Sequence, residues 1–269
     1  MVGKLLGIIA AASLIQTAPL RAEDATVLVL SPSANWTADF AENSCSLRRS
    51  FSGGGKQVAM EFKSFGTGGR LNVTVASDTL GRGRGELLTG FQPDREMSGR
   101  APYRTLQGSG GWSGVAYTED LPRNDATIEA YRIRGAFATE VELTTGPLTE
   151  MASVLRQCED DLLTTLSLDP LRERTLSRRV ELESTSALLR KTAAITRNLP
   201  KAGASYQVLR LLIDEDGRST DCRAIDGQIS AEASSRSCDL LRDIRFKPAL
   251  DADNQPVPSI TSFSVYADS

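Results

Sequence analysis

The chain contains no histidine. That absence excludes a serine–histidine or cysteine–histidine nucleophile pair, an imidazole proton shuttle near neutral pH, and the commonest metal ligand. A catalytic site here would have to be built from carboxylates, lysine, tyrosine or serine. Cysteine is scarce too: Cys45, Cys158, Cys222 and Cys238 are the only four, and no two are close enough in sequence for a zinc knuckle. Past residue 16 no apolar run approaches the ~20 residues that span a bilayer. There is no proline-rich spacer and no internal repeat. Positive charge is not in excess: 31 Lys and Arg stand against 34 Asp and Glu, so a nucleic-acid backbone is a poor partner. These absences point to no metal, no cofactor and no catalytic set, and favour a binding protein over an enzyme.

The N-terminus has the layout of a secretory signal. Lys4 supplies a positive charge, Leu5 to Ile15 form an apolar run, and Thr17 to Ala22 offer small residues for cleavage. Cleavage after Ala22 is expected, making residues 1–22 a signal peptide. The competing reading is an uncleaved anchor, which Gln16, Pro19 and Arg21 interrupt. Removing Lys4 and Arg21 with the leader takes the net charge from −3 to −5. The expected location is the periplasm, which is oxidising, so the even cysteine count suggests disulfides. Four cysteines allow three connectivities. A hydrophobic content of 40% is ordinary for a folded chain.

The fold class reads as α+β. Residues 23–166 form a β-rich domain, an antiparallel sandwich or barrel with one docked helix. The clearest signal is residues 57–65. Val58, Met60 and Phe62 alternate with Glu61 and Lys63, and Leu71, Val73 and Val75 alternate with Asn72 and Thr74, as in half-buried strands. After Thr145-Gly-Pro147 the period changes. Leu148, Met151, Leu155, Cys158 and Leu162 recur every three or four residues, drawing one apolar stripe on a helix, with Pro147 expected in its first turn. Cys158 lies in the stripe, so Cys45–Cys158 is the natural bridge. Residues 167–201 read as a partly helical linker, with a short helix near 185–197.

Residues 202–269 read as a small separate module. Tyr206 to Ile213 is a strand, Asp214-Glu-Asp-Gly217 a turn and Arg218 to Ile225 the returning strand. A helix follows from Ala231, with Ser230 as its N-cap. Cys238 on that helix faces the sheet and Cys222 can meet it. A 16-residue bridge (238 less 222) stabilises a small module by ~3 kcal/mol. Ile260 to Tyr266 makes a last strand.

This series resembles the TonB C-terminal domain family. The pieces that carry the resemblance are the strand 208–213, the turn Glu215-Asp-Gly217, the strand 219–225, the helix 231–242, Arg245-Phe-Lys-Pro-Ala249, Gln255-Pro-Val257 and the strand 260–265. The Arg-Phe-x-Pro-Ala piece followed by Pro-Val is the most specific, and the match covers about a quarter of the chain. The Cys222/Cys238 pair looks like a disulfide-bearing branch of that family. The resemblance implies a ββαβ module whose sheet edge pairs with an extended segment of an outer-membrane receptor, by strand addition. The implied edge is Ile260, Thr261, Ser262, Phe263, Ser264 and Val265. Departures are equally plain: a TonB-type transducer carries an uncleaved helix with a histidine and a long proline-rich spacer, and this chain has neither histidine nor spacer. A membrane-anchored transducer and a carboxylate-based envelope hydrolase remain the alternatives. Gly81-Arg-Gly-Arg-Gly85 is expected to be a flexible hairpin loop rather than a phosphate cradle, and Glu159-Asp-Asp161 a solvated helix face rather than a calcium site.

Overall fold

A computed structural model describes residues 27–66, 70–83, 86–93, 103–121, 125–198, 205–227 and 230–267. The expected signal peptide, 1–22, lies outside the described residues. The front part is β-rich: β1 (Leu28–Pro32), β2 (Thr37–Ala41), β3 (Ser44–Gly53), β4 (Lys56–Ser64), β5 (Arg70–Ser77), β6 (Leu88–Gln92), β7 (Tyr103–Gln107), β8 (Ser113–Asp120), β9 (Ala130–Arg134) and β10 (Val141–Leu143). Helix α1 (Thr149–Thr165) follows, then α2 (Pro170–Thr175), β11 (Glu181–Leu182) and α3 (Thr185–Asn198). The chain ends with β12 (Ser205–Ile213), β13 (Ser219–Gly227), α4 (Ala231–Leu241), β14 (Phe246–Lys247), β15 (Ala249–Leu250), β16 (Pro256–Val257) and β17 (Ser259–Ala267). The molecule is α+β.

The ten front strands form one sheet in the order β6-β9-β10-β1-β3-β4-β5-β8-β7, with β2 on the side of β3. It is mixed rather than purely antiparallel, because β1 runs parallel to β10 at Leu28 to Leu30. The same short strand turns to pair with β3 at Ser31 and Pro32, so β1 is the corner about which the sheet curls. The two halves then face each other. Phe62 of β4 lies 6.2 Å from Phe91 of β6 and 6.3 Å from Tyr131 of β9. Alternation explains the interior: Val58, Met60, Phe62, Leu71, Val73 and Val75 are all buried, and each such side chain contributes roughly 1.5–3 kcal/mol.

The curled sheet is not closed by backbone pairing among the described residues, since β6 and β7 end the strand path. Side chains bridge the gap. Tyr117 and Tyr131 share a hydrogen bond of 2.8 Å, and Glu119 accepts from Tyr131 at 3.0 Å and from Thr89 at 2.7 Å. Burial holds both phenols well above their ordinary value, so they act as neutral donors. Helix α1 covers one end of the core with Met151, Leu155 and Cys158, joined by its N-cap Leu148, and the Cys45–Cys158 disulfide fastens it to β3. Pro147 lies before the helix, which begins at Thr149; the expectation of proline in the first turn was two residues early. Of the expected loop 81–85, residues 84–85 lie outside the described residues, and 81–83 are pinned by an isolated bridge between Arg82 and Phe137. Gly83 and Ala138 donate backbone bonds to Ala136 and Gly81 at 3.0 and 2.7 Å, and a Cβ on Gly83 would stand 2.0 Å from the Gly135 carbonyl.

The second sheet has the order β13-β12-β17, all antiparallel. Leu209, Leu211 and Ile213 turn toward α3 and α4 and pack with Ile195, Leu241 and Phe246. The Cys222–Cys238 disulfide ties β13 to α4, whose N-cap Ser230 accepts from the Ala233 amide at 3.2 Å. Of the expected linker 167–201, residues 199–201 lie outside the described residues, and the rest packs against the C-terminal sheet. Helix α3 supplies part of this core, and β11 pairs with β14. The Arg245-Phe-Lys-Pro-Ala249 segment is the clasp: Arg245 accepts from the Glu183 amide at 3.2 Å and Pro248 from the Arg178 guanidinium at 2.9 Å. Gly217 meets the same segment, its carbonyl accepting from the Phe246 amide at 3.0 Å. Its φ is +74° and a Cβ there would lie 1.9 Å from the Phe246 oxygen, so only glycine fits.

Candidate interaction site

The strand expected to carry partner binding, β17, pairs with β12 on one side only, from Ser205↔Ala267 to Ile213↔Ser259. Its opposite edge has no backbone partner among the described residues. Period-two alternation divides its side chains. Phe263 and Val265 point to the helices, where Phe263 lies 6.0 Å from Phe246 and Val265 is buried. Thr261 shares that register and is half-buried. On the other face Ile260 is buried beside Leu163 and Leu168, while Ser262 and Ser264 are half-buried. The first residue is tethered: Ser259 donates to Glu173 of α2 at 3.0 Å.

That other face meets the front sheet. Lys63 of β4 pairs with Asp226 of β13 at 3.0 Å, both largely sheltered. The Arg104 guanidinium lies 3.7 Å over the Tyr206 ring, a cation–π contact, and Arg223 reaches Glu42 at 3.7 Å. The Tyr206 hydroxyl donates to Asp226 at 3.2 Å. Burial, and then the Asp226 carboxylate, holds this phenol above its ordinary value. Arg210, at the centre of the face, is only 3% exposed, and its Nε and Nη1 have no partner among the described residues. Burial, and next the charge of Arg223, pushes its guanidinium below the ordinary value.

Between the two sheets lies a cleft of about 250 Å³. Its floor is the outer face of β4, β5 and β8, with Glu61, Lys63, Asn72 and Thr74, and its roof is Tyr206, Val208 and Asp226. The two carboxylates are each engaged by a cation, Glu61 by Arg48 at 2.7 Å and Asp226 by Lys63. That pairing suits ligand positioning better than acid–base work. None of the seam residues stood out in the sequence. Lys63, Asn72 and Thr74 showed only as the polar side of two alternating strands, and the Lys63–Asp226 contact joins positions 163 residues apart.

The remaining motifs are accounted for locally. Glu159 accepts from Ser64 and Asp160 pairs with Arg174, while Asp161 is exposed on the helix face. Among the described residues no group of three or more cysteines or carboxylates is arranged to hold a metal ion. No known protein family, no characterised protein and no solved structure matches this chain.

Proposed function

We propose that this chain is an exported envelope protein that binds other proteins rather than catalysing a reaction. Its C-terminal part acts as a TonB-like module that takes up an extended segment of a partner by strand addition along β17. The observation that carries this reading is the nine-residue edge strand whose outer side lacks a backbone partner among the described residues. An added strand would satisfy those groups and gain affinity from main-chain hydrogen bonds. The strand–strand–helix–strand order of β12, β13, α4 and β17, closed by the Arg245–Ala249 clasp, supports the resemblance read from the sequence. Two disulfides suit an oxidising compartment. A partner of the expected kind is the extended segment of an outer-membrane receptor, which would link the protein to transport across that membrane. No described helix is long and apolar enough to cross a membrane.

Two experiments test the proposal. N-terminal sequencing of the protein from cells is expected to begin at Glu23; retention of residues 1–22 would favour the anchored alternative. A photo-crosslinking residue introduced at Ser262 or Ser264, and separately at Thr220 on β13, is expected to yield a specific envelope adduct from β17 only. Adducts from β13 alone, or none from β17, would sink strand addition at this edge.

A further inference from the structure

The candidate edge strand is covered at its start. Ser259 and Ile260 are 2% and 6% exposed, whereas Thr261 to Ser264 are half-buried. Ile260 packs on Leu163 at the end of α1 and on Leu168 just beyond it. Ser259 donates to Oε2 of Glu173 on α2 at 3.0 Å. The first two of the nine positions along β17 are thus held under the elbow between α1 and α2. Glu159 makes the matching contact at the other end of that elbow, accepting from Ser64 of β4.

The surroundings of Glu173 suit a neutral acid better than a carboxylate. The residue is 3% exposed, and its Oε1 has no hydrogen-bond partner among the described residues. Its one side-chain hydrogen bond there is the one from Ser259. An ionised carboxylate has about four acceptor sites to fill, and leaving them empty in a buried place is costly, whereas the protonated form tolerates burial far better. The charged groups that face it are few. Arg172 and Asp169 belong to α2 and its cap, and Arg179 to the segment that follows. Asp169 is engaged as the N-cap by the Leu171 and Arg172 amides. Helix α1 brings Asp160, which is paired with Arg174. Strand β17 brings no charged side chain, only the Ser259 hydroxyl. Burial, as the largest cause, holds the Glu173 carboxyl above its ordinary value, and the Ser259 bond and the two arginines offset part of that.

We propose that Glu173 and Ser259 form a proton-operated latch on the start of β17. Protonated, Glu173 stays buried and holds Ser259 under α2. When the proton leaves to water, the carboxylate turns toward solvent and toward Arg179, which is exposed, and Ser259 is released. The first residues of β17 then loosen, and the full length of the edge becomes available. The use of the latch rests on the strand-addition reading: low pH hinders capture of a partner segment and a rise toward neutral favours it. The latch itself does not need a partner.

The test follows the mature chain by NMR from pH 4 to pH 8 with no partner present. The amide signals of Ser259 and Ile260 are expected to titrate together, with a midpoint above 4.5. Protection from hydrogen exchange at the start of β17, corrected for the intrinsic pH dependence, is expected to fall about tenfold across that transition. Glu173→Gln keeps the neutral form and should abolish both effects, leaving the start of β17 protected at pH 8. Ser259→Ala removes the donor and should give fast exchange there at every pH. Glu159→Gln, at the other end of the elbow, should leave the Ser259 titration in place. Signals at Ser259 and Ile260 that do not change with pH, or that titrate equally in Glu173→Gln, would overturn the latch. Photo-crosslinking from Ser262 then tests its use. Adduct yield should rise severalfold from pH 5 to pH 7.5 in the parent and stay low in Glu173→Gln. Equal yield at both pH values in the parent would overturn the regulatory role. Absence of adducts from every variant would overturn strand addition and leave the latch to the exchange result.

Discussion

Glu159 and Glu173 lie on the two helices that lead from the front sheet to the C-terminal one, and burial, as the largest cause, holds both above their ordinary value of 4.5. Hydrogen bonds from Ser64 and Ser259 offset only part of that cost. A carboxylate raised in the folded state binds its proton more tightly there than in the unfolded chain. Its contribution to stability is present at low pH and is lost as pH rises from 4.5 through the raised value. Glu159→Gln and Glu173→Gln remove that loss, so each variant should gain in Tm over the parent between pH 4 and pH 7. A pH series of melting curves checks the slope. Glu119 accepts from both Thr89 and Tyr131 in the gap of the curled sheet. Glu119→Leu strands those two hydroxyls and should cost about 1–3 kcal/mol in denaturant unfolding, whereas Tyr131→Phe should cost about 1 kcal/mol.

At the scale of elements, the strands that alternate cleanly were legible and those lacking a buried face were not. β4 and β5 bury every second side chain and announce themselves in the sequence. All five residues of β2 are exposed, and β7 buries none of its side chains fully, so neither leaves a hydrophobic period to read. The stripe on α1 was legible, but the role of α3 was not. A short amphipathic helix in a charged stretch looks like a linker until the sheet it packs on is known. Ile195 is 1% exposed in the core beneath β12, so Ile195→Ala should destabilise the C-terminal part by about 2–4 kcal/mol. By the same reasoning a fragment spanning 177–269 should fold cooperatively and one starting at 202 should not, as circular dichroism melting would show. The Cys222–Cys238 bridge spans 16 residues, and replacing both cysteines by serine should cost about 3 kcal/mol, measurable by urea unfolding.

For the whole molecule, what stayed hidden in the sequence is the meeting of distant faces. The parallel pairing of β1 with β10 makes the sheet curl, yet it joins residues more than a hundred positions apart, and no local pattern encodes it. The seam between the sheets is hidden in the same way. Lys63, Arg104 and Glu42 have the composition of an ordinary solvated surface, and only their meeting with Asp226, Tyr206 and Arg223 gives them a role. The candidate edge strand, by contrast, was legible, because its alternation and its place after the clasp are both local. Strand addition there makes a demand that no face-on contact makes, since half of the β17 amides point away from β12 and have no backbone partner among the described residues. Amide hydrogen exchange of residues 260–265, measured with and without the partner segment recovered by crosslinking, tests this directly. The account predicts that alternate amides along β17, fast in the free protein, become protected together on binding. Unchanged exchange along β17, with protection gained on α4 or in the seam instead, would contradict it.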